Sequence, residues 1–367
     1  MRRFVNVTLL VAAAAILPVT AHATNGYFLS GVGTGHKAMA GAGVALPLGS
    51  LSAATNPAGL AFVGGGVDVS IALFNPNRDY EVSGAPSGFE GTFGLAPGKV
   101  ESDSRYFPVP SAGYGRALGE GQALGVMLYG NGGMNTTYPE ATFYGTDAGV
   151  NLTQMFLGAT YARKLDERNA VGITPVLAYQ YFKATGLQSF AMFSSDPDNL
   201  TDEGNAGSFG GGVRVGYLGR WLPQLAVGAS YQTRTWMTPF EKYKGLYAEE
   251  GGFDIPSSWV AGIAVTPHPM VDVALDVQQV LYSEVKSIAN PMLPNLMSAL
   301  STLAVLEFAR IILAEAALSF LGLGIQPPQT SWGLDVANGR DYIFGSWWLV
   351  TFHGIAIALT VLAVNLV

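Results

Sequence analysis

From residue 64 to about residue 285 apolar and polar side chains alternate with a period of two, and each alternating segment is closed by Gly, Pro, Asn or Asp. In the stretch Val67 to Leu73, Val67, Val69, Ile71 and Leu73 share one face, and Asp68 and Ser70 lie on the other. Leu225, Val227, Ala229 and Tyr231 likewise share a face, opposite Ser230, Gln232 and Arg234. The clearest segment runs from Val271 to Leu281, with Val271, Val273, Leu275 and Val277 on one side and Asp272, Asp276 and Gln278 on the other. Further segments of this kind are 111–118, 122–130, 153–165, 169–182, 207–219 and 257–266. Period two belongs to strands, whose successive side chains point to opposite faces. A soluble sandwich and a membrane barrel both produce it. The barrel is favoured because the apolar face is nearly free of charge. In addition, Tyr129, Tyr161, Tyr179, Tyr181, Tyr217, Tyr231, Trp236, Trp259 and Tyr282 sit mostly toward segment ends, as an interfacial girdle would. The pattern therefore predicts that Val67, Ile71, Val273 and Leu275 face lipid, and that Asp68, Asp272, Asp276 and Arg234 face the interior.

Two stretches break the alternation. Residues 187–206 and 237–256 mix Phe, Met and Tyr with Asp and Glu, and long loops of such barrels belong on the extracellular side. Their apolar residues form either a local packing cluster or a landing surface for a greasy ligand. At the start, Arg2 and Arg3 precede an apolar run from Phe4 to Val19, followed by Ala21-His22-Ala23. That is a secretory signal peptide over 1–23, cleaved before Thr24. At the other end the period changes from Ser298. Ala299 to Leu323 carries three charges, Glu307, Arg310 and Glu315, and Ile343 to Val367 carries none apart from His353. Both runs have the length of transmembrane-type helices.

Composition narrows the function. The 367 residues include 45 charged side chains (12%), 47 Gly and no Cys, with a net charge of −7. Soluble domains carry about 25% charge, so a membrane location fits better. The absence of Cys excludes thiol chemistry, and unclustered basic residues argue against nucleic acid as a partner. Gly33-Thr34-Gly35-His36-Lys37-Ala38 fits a dinucleotide pattern only superficially, because no strand of a βαβ unit precedes it. His268, in Pro267-His268-Pro269, reads as a turn and not as a ligand. No catalytic, metal or cofactor site is expected, and the chain is not read as an enzyme.

The stretch Thr24-Asn25-Gly26-Tyr27-Phe28, the small-residue run Gly31 to Gly43, and Ala53 to Leu60 with its Asn56-Pro57-Ala58 resemble the FadL/TodX family of outer-membrane channels for long-chain fatty acids and aromatic hydrocarbons. Phe253-Asp254-Ile255-Pro256 and the segments that follow, to about residue 297, look like the same family. The resemblance implies a barrel whose N-terminal segment folds inward as a hatch, with Thr24, Tyr27, Phe28, Asn56, Pro57 and Ala58 as hatch and pore residues. Substrate would bind near the hatch and leave sideways through the wall.

The tail resembles something else. Ile312 to Gly324, Gln326-Pro327-Pro328, Trp332-Gly333 and Gly339-Arg340 are similar to the C-terminal end of permease subunits of dipeptide/oligopeptide ABC transporters. The coupling loop that should precede Leu293-Pro294-Asn295 is missing, which argues against an ATPase partner. The residues such permeases carry after Asn365-Leu366 are also missing. Met292 to Leu296 reads in either parent and is the natural crossover.

The expected organisation is a signal peptide (1–23), a hatch (24–63), a partial outer-membrane barrel (64–297) and a permease-like helical tail (298–367). The expected fold is an all-β membrane class: an incomplete FadL-like antiparallel β-barrel with an N-terminal hatch, followed by two transmembrane-type α-helices. Roughly nine strands precede the join, whereas bacterial single-chain barrels close with even numbers. The expected function is passive outer-membrane transport of hydrophobic compounds, with the tail alone pointing to an inner-membrane peptide permease or to a non-functional chimera. Expected partners are a hydrophobic small molecule, the lipid bilayer, lipopolysaccharide and the outer-membrane insertion machinery. The tail could instead hold the chain in the inner membrane.

Overall fold

The computed structural model describes residues 26–86, 88, 92–139, 142, 146–289, 332–340, 345–346 and 348–365. The signal sequence, Thr24 and the Ala299 to Leu323 run lie outside the described residues.

The alternating segments form strands β1 (Gly65–Phe74), β2 (Asp79–Val82), β3 (Gly98–Glu101), β4 (Phe107–Gly119), β5 (Gln122–Tyr138) and β6 (Ala148–Lys164). They continue as β7 (Asn169–Thr185), β8 (Ala206–Leu222), β9 (Leu225–Gln232), β10 (Trp236–Met237), β11 (Ser258–His268) and β12 (Val271–Val280). Nine of them make one antiparallel sheet in the order β1-β4-β5-β6-β7-β8-β9-β11-β12. Strands β2 and β3 pair as a separate hairpin, and the short β10 adds to β8. Among the described residues β1 and β12 are the two edges of this path, so the barrel is incomplete, as the strand count anticipates.

Connections sort by length. Four tight turns join β4 to β5, β6 to β7, β8 to β9 and β11 to β12 at one end of the sheet. The first needs Gly119, Glu120 and Gly121 all at positive φ, which glycine adopts at little cost on either side of the one strained Glu. The second is fixed by Asp166, whose Oδ1 accepts from the backbone N–H of Arg168 and of Asn169, each at 2.7 Å. The long connections, 75–106, 139–147, 186–205 and 233–257, all lie at the opposite end.

The two faces separate as the period predicts. On β1 the outward Val67, Val69, Ile71 and Leu73 are 67–78% exposed. Leu157 on β6 and Leu177 on β7 are exposed, while their neighbours Phe156 and Val176 are buried on the concave side. That side carries small or hydrogen-bonded polar groups: Ser70 meets Ser111 at 2.7 Å and Thr160 meets Thr174 at 2.7 Å. Two residues assigned to the aromatic girdle belong inside instead. Tyr129 is buried with its ring edge-on to Phe156 at 5.5 Å, and Tyr282 lies against Tyr27 and Phe28. Spacing along one segment fixes the face only when the strand register is known, and Tyr282 follows the last strand.

The loops 187–206 and 237–256 resolve in favour of local packing. Leu200, Phe240, Tyr243, Leu246 and Phe253 bury together with Leu152 and Phe182 of the wall. Met192 remains exposed.

In the tail, helices Trp332–Gly339 and Trp348–Asn365 are present, and His353 lies 3.6 Å from Asp335. Among the described residues no helix is long and apolar enough to cross a membrane. The described helix covers the 18 residues from Trp348 to Asn365, and Ile343, Phe344, Trp347, Leu366 and Val367 of the expected apolar run lie outside the described residues.

Candidate functional site

Residues 26–63 thread the concave side of the sheet from one end to the other. At the long-loop end, Tyr27 and Phe28 stack at 4.8 Å, with Tyr282 and Phe253 around them. The backbone adds to β5 here: Leu29 N donates to Asn131 O and Gly133 N to Tyr27 O, each at 3.0 Å. This contact sits on the β5 bulge between Gly130 and Gly132, where a Cβ on Gly132 would collide with the Tyr27 carbonyl. Burial raises the Tyr27 phenol far above its ordinary range, and the Tyr282 phenol beside it is pushed up to about 12, also by burial.

At the tight-turn end, Asn56 opens a short 3-10 turn, Pro57–Gly59, with Pro pre-set at its first position. Asn56 Oδ1 accepts from Ala58 N at 3.1 Å, a side-chain cap. Its Nδ2 donates to Val44 O at 2.7 Å and to Tyr217 O of β8 at 2.9 Å. One amide thus fixes its own turn, a second part of the hatch and the wall. Close approach is possible because the wall lacks side chains there. A Cβ on Gly216 would lie 2.1 Å from Asn56 Oδ1, and one on Gly172 would lie 2.5 Å from the Pro57 carbonyl carbon. Small residues were expected in the hatch. That the wall must match them at Gly172 and Gly216 became visible only with the register.

Both edge strands hold the hatch through a carboxylate. Asp276 Oδ2 of β12 accepts from Gly43 N at 2.8 Å and Val44 N at 2.9 Å, and Asp68 Oδ2 of β1 accepts from Leu51 N at 3.2 Å. These two aspartates face inward as predicted. Arg234 is inward too, bound to Asp254 at 2.6 Å and to Glu284 O. Asp272 lies four residues before Asp276 on the same face of β12, exposed near the start of that edge strand, where it takes a hydrogen bond from Thr266. Gly33–Ala38 is a helix with His36 buried. Among the described residues no strand leads into it, as the dinucleotide pattern would require.

Between hatch and wall lies a cavity of about 320 Å³, lined by Phe28, Val32, Tyr129, Phe156, Arg214 and Gln232 among others. Arg214 Nη1 donates to Tyr129 Oη at 3.1 Å. A ladder of buried amides crosses the wall beside it: Asn131 to Gln154 at 3.0 Å, Gln154 to Gln180 at 2.9 Å, and Gln180 to Phe253 O at 2.8 Å. The ladder satisfies polar groups that the sheet curvature removes from water. Of the hatch residues singled out from the sequence, Phe28 reaches the cavity. Tyr27 packs above it, and Asn56, Pro57 and Ala58 anchor the hatch near the tight turns. The structure therefore does not gather them into one site. Arg214 and the amide ladder went unseen in the sequence, since each looks like an ordinary inward strand residue, and Tyr129 reads there as a girdle residue.

Comparison with known proteins divides the chain. The fold over most of it is that of hydrocarbon channels. The toluene transporter TodX of P. putida matches with a TM-score of 0.53 at 16% identity, covering 70% of this chain and 72% of that one. The Ralstonia pickettii toluene transporter TbuX matches with a TM-score of 0.50 at 18% identity, covering 70% and 73%. The family model for the binding-protein-dependent transport system inner membrane component matches residues 282–367. The di/tripeptide transport system permease protein DppC of Pseudomonas aeruginosa is 53% identical over 74 residues, which is 20% of this chain and 24% of that protein. The dipeptide permease DppC of Escherichia coli K12 is 48% identical over 73 residues, with the same shares. The chain spans less than a third of the length of the curated permeases it matches. These relatives are channels and permeases, not enzymes. The chain thus joins a FadL/TodX-like barrel segment to a permease-like tail.

Proposed function

We propose that the barrel segment is an outer-membrane conduit for hydrophobic small molecules. The observation that carries this reading is the cavity between the N-terminal segment and the wall, beneath a sheet whose outward face is apolar. A greasy molecule crosses a lipopolysaccharide surface poorly, and burial in a cavity stabilises it by roughly 0.8 kcal/mol per CH₂. Tyr27 and Phe28 close the cavity on the long-loop side, and Asn56-Pro57-Ala58 anchors the hatch that any passing molecule must skirt. The cavity's polar lining, with Arg214 and Gln232, supports an occupant with a polar end alongside its apolar body. The tight-turn end is then periplasmic, and lipopolysaccharide and the insertion machinery are the natural partners.

The test places the full chain in vesicles with a lipopolysaccharide outer leaflet. An aromatic hydrocarbon should enter faster than in protein-free vesicles, and a sugar should not. Equal entry of hydrocarbon with and without protein overturns the reading. The permease match over 282–367 favours a second reading, an inner-membrane fragment of a peptide transporter. Copurification with a transporter ATPase would support it.

A further inference from the structure

The cavity beside Phe28 has two unlike sides. Phe28, Tyr129 and Phe156 supply three aromatic rings to one of them. The other belongs to β8, β9 and β12, where Arg214, Gln232 and Asp276 line it. One cation and one carboxylate leave the lining without net charge. Arg214 and Gln232 are direct cross-strand partners between β8 and β9, so a donor and an acceptor stand side by side. Arg214 commits Nη1 to Tyr129 Oη at 3.1 Å and forms no ion pair among the described residues, which leaves further N–H groups on its fork. Gln232 is 5% exposed, and its Nε2 reaches Thr235 Oγ1 only at 3.4 Å. Its Oε1 is sealed from solvent and has no hydrogen-bond partner among the described residues, and the same holds for Asp276 Oδ1. A buried acceptor without a donor carries the full loss of its hydration. Both of these orphans are acceptors, so only a donor can satisfy them.

We infer that this cavity selects a phenol, a neutral hydroxyl group on a one-ring aromatic body, over a bare hydrocarbon and over a carboxylate. The hydroxyl donates to Gln232 Oε1 and accepts from the Arg214 guanidinium, and the ring packs among Phe28, Tyr129 and Phe156. A turn of the loosely held Gln232 amide brings Oε1 to the hydroxyl. A hydrocarbon strips water from Arg214 and leaves the Gln232 oxygen unpaired. A carboxylate brings acceptors alone, so it answers Arg214 but neither orphan, and it meets the like charge of Asp276. Size points the same way. The volume of about 320 Å³ is at the low end of small-molecule pockets, which suits one ring better than a long chain. The inference deepens the conduit reading by naming the polar end of its cargo, and rests on that reading for how the ligand arrives. Its occupancy is measurable without any transport.

The experiment titrates the full chain, folded in neutral maltoside micelles near neutral pH, with para-fluorophenol, para-fluorotoluene, para-fluoroanisole and para-fluorobenzoate. Fluorine NMR separates bound probe from probe dissolved in protein-free micelles. The phenol should bind about tenfold tighter than each of the others, the ratio of one hydrogen bond to a buried group. The anisole keeps the oxygen but cannot donate, so it isolates the demand for a donor without any variant. Gln232→Met keeps the length of the side chain and removes the amide, and it should bring the phenol down to the level of the toluene. If that variant does not fold, the comparison of phenol with anisole decides alone. Equal binding of phenol and anisole, tightest binding of the benzoate, or a phenol preference that survives Gln232→Met overturns the inference. Failure of hydrocarbon entry into vesicles with the phenol preference intact would sink only the conduit reading.

Discussion

Asn56 carries more of the hatch than any other single side chain. Replacing it with Ala removes three hydrogen bonds and leaves the Val44 and Tyr217 carbonyls without that donor in a buried setting. Each orphaned group costs roughly 1–3 kcal/mol, so Asn56→Ala should destabilise the folded chain by about 2–4 kcal/mol, read as a lower urea midpoint. Protease cleavage at Lys37 should accelerate in parallel. Unchanged cleavage would mean that the aspartates alone hold the segment. Gly216→Ala should reproduce the phenotype from the wall side, because its Cβ would occupy the place of Asn56 Oδ1. Tyr282 supplies a pH test. Its phenol is raised by burial to about 12, so the folded form favours the protonated group. That contribution is complete below the ordinary phenol value of about 10 and is lost as pH rises through about 12. Phenolate absorbance should therefore lag an unfolded control between those values, and Tyr282→Phe should move alkaline loss of structure to higher pH.

At the level of elements, the outward face makes the sharper prediction. Leu157 stands near the middle of β6, exposed on the apolar side. Leu157→Arg should weaken membrane insertion by roughly 2–4 kcal/mol, the midplane penalty for a lipid-facing arginine. Asp276→Leu should leave insertion alone and release the hatch, since its partners are Gly43 N and Val44 N. Equal insertion of Leu157→Arg and wild type in a vesicle-folding assay would reverse the assignment of faces. Much of this level was legible in the sequence. Nine alternating segments became the nine strands of one sheet, because period two encodes the face directly. β5 and β6 run longer than their apolar segments because polar Asn135, Thr136 and Thr137 still pair with Asn151, Val150 and Gly149 beyond the apolar band. The β2–β3 hairpin has no such alternation to announce it. The site was less legible: Asn56-Pro57-Ala58 signalled a turn, but its partners are 161 residues away in β8, and only pairing register brings them together.

At the scale of the whole molecule the two halves interlock before they part. The permease match begins at Tyr282, eleven residues ahead of the crossover expected at Leu293, yet Tyr282 packs on Tyr27 and Phe28 and Val285 is buried at the same end. The apolar stretch beyond Ile343 lacks the polar interruptions that let strands pass the translocon, and each large apolar residue favours insertion by about 0.3–0.6 kcal/mol. Among the described residues β1 and β12 are unpaired edges, which add a route to aggregation. Fractionation of the expressed chain should find it in the inner membrane or in aggregates. Heat-modifiable, folded protein in the outer membrane would show that the tail is tolerated.

Nine is an odd number, and that fixes a compass direction. β1 sets out from the tight-turn end and every later strand of the sheet reverses it, so β12 finishes at the long-loop end. A chain that has made an odd number of crossings has changed compartments. Whatever follows Val280 therefore starts outside the cell if the tight turns face the periplasm, across the full envelope from the membrane where the tail's relatives reside. Barrel and tail cannot both be at home in one molecule: seating either in its own bilayer strands the other on the wrong side of it.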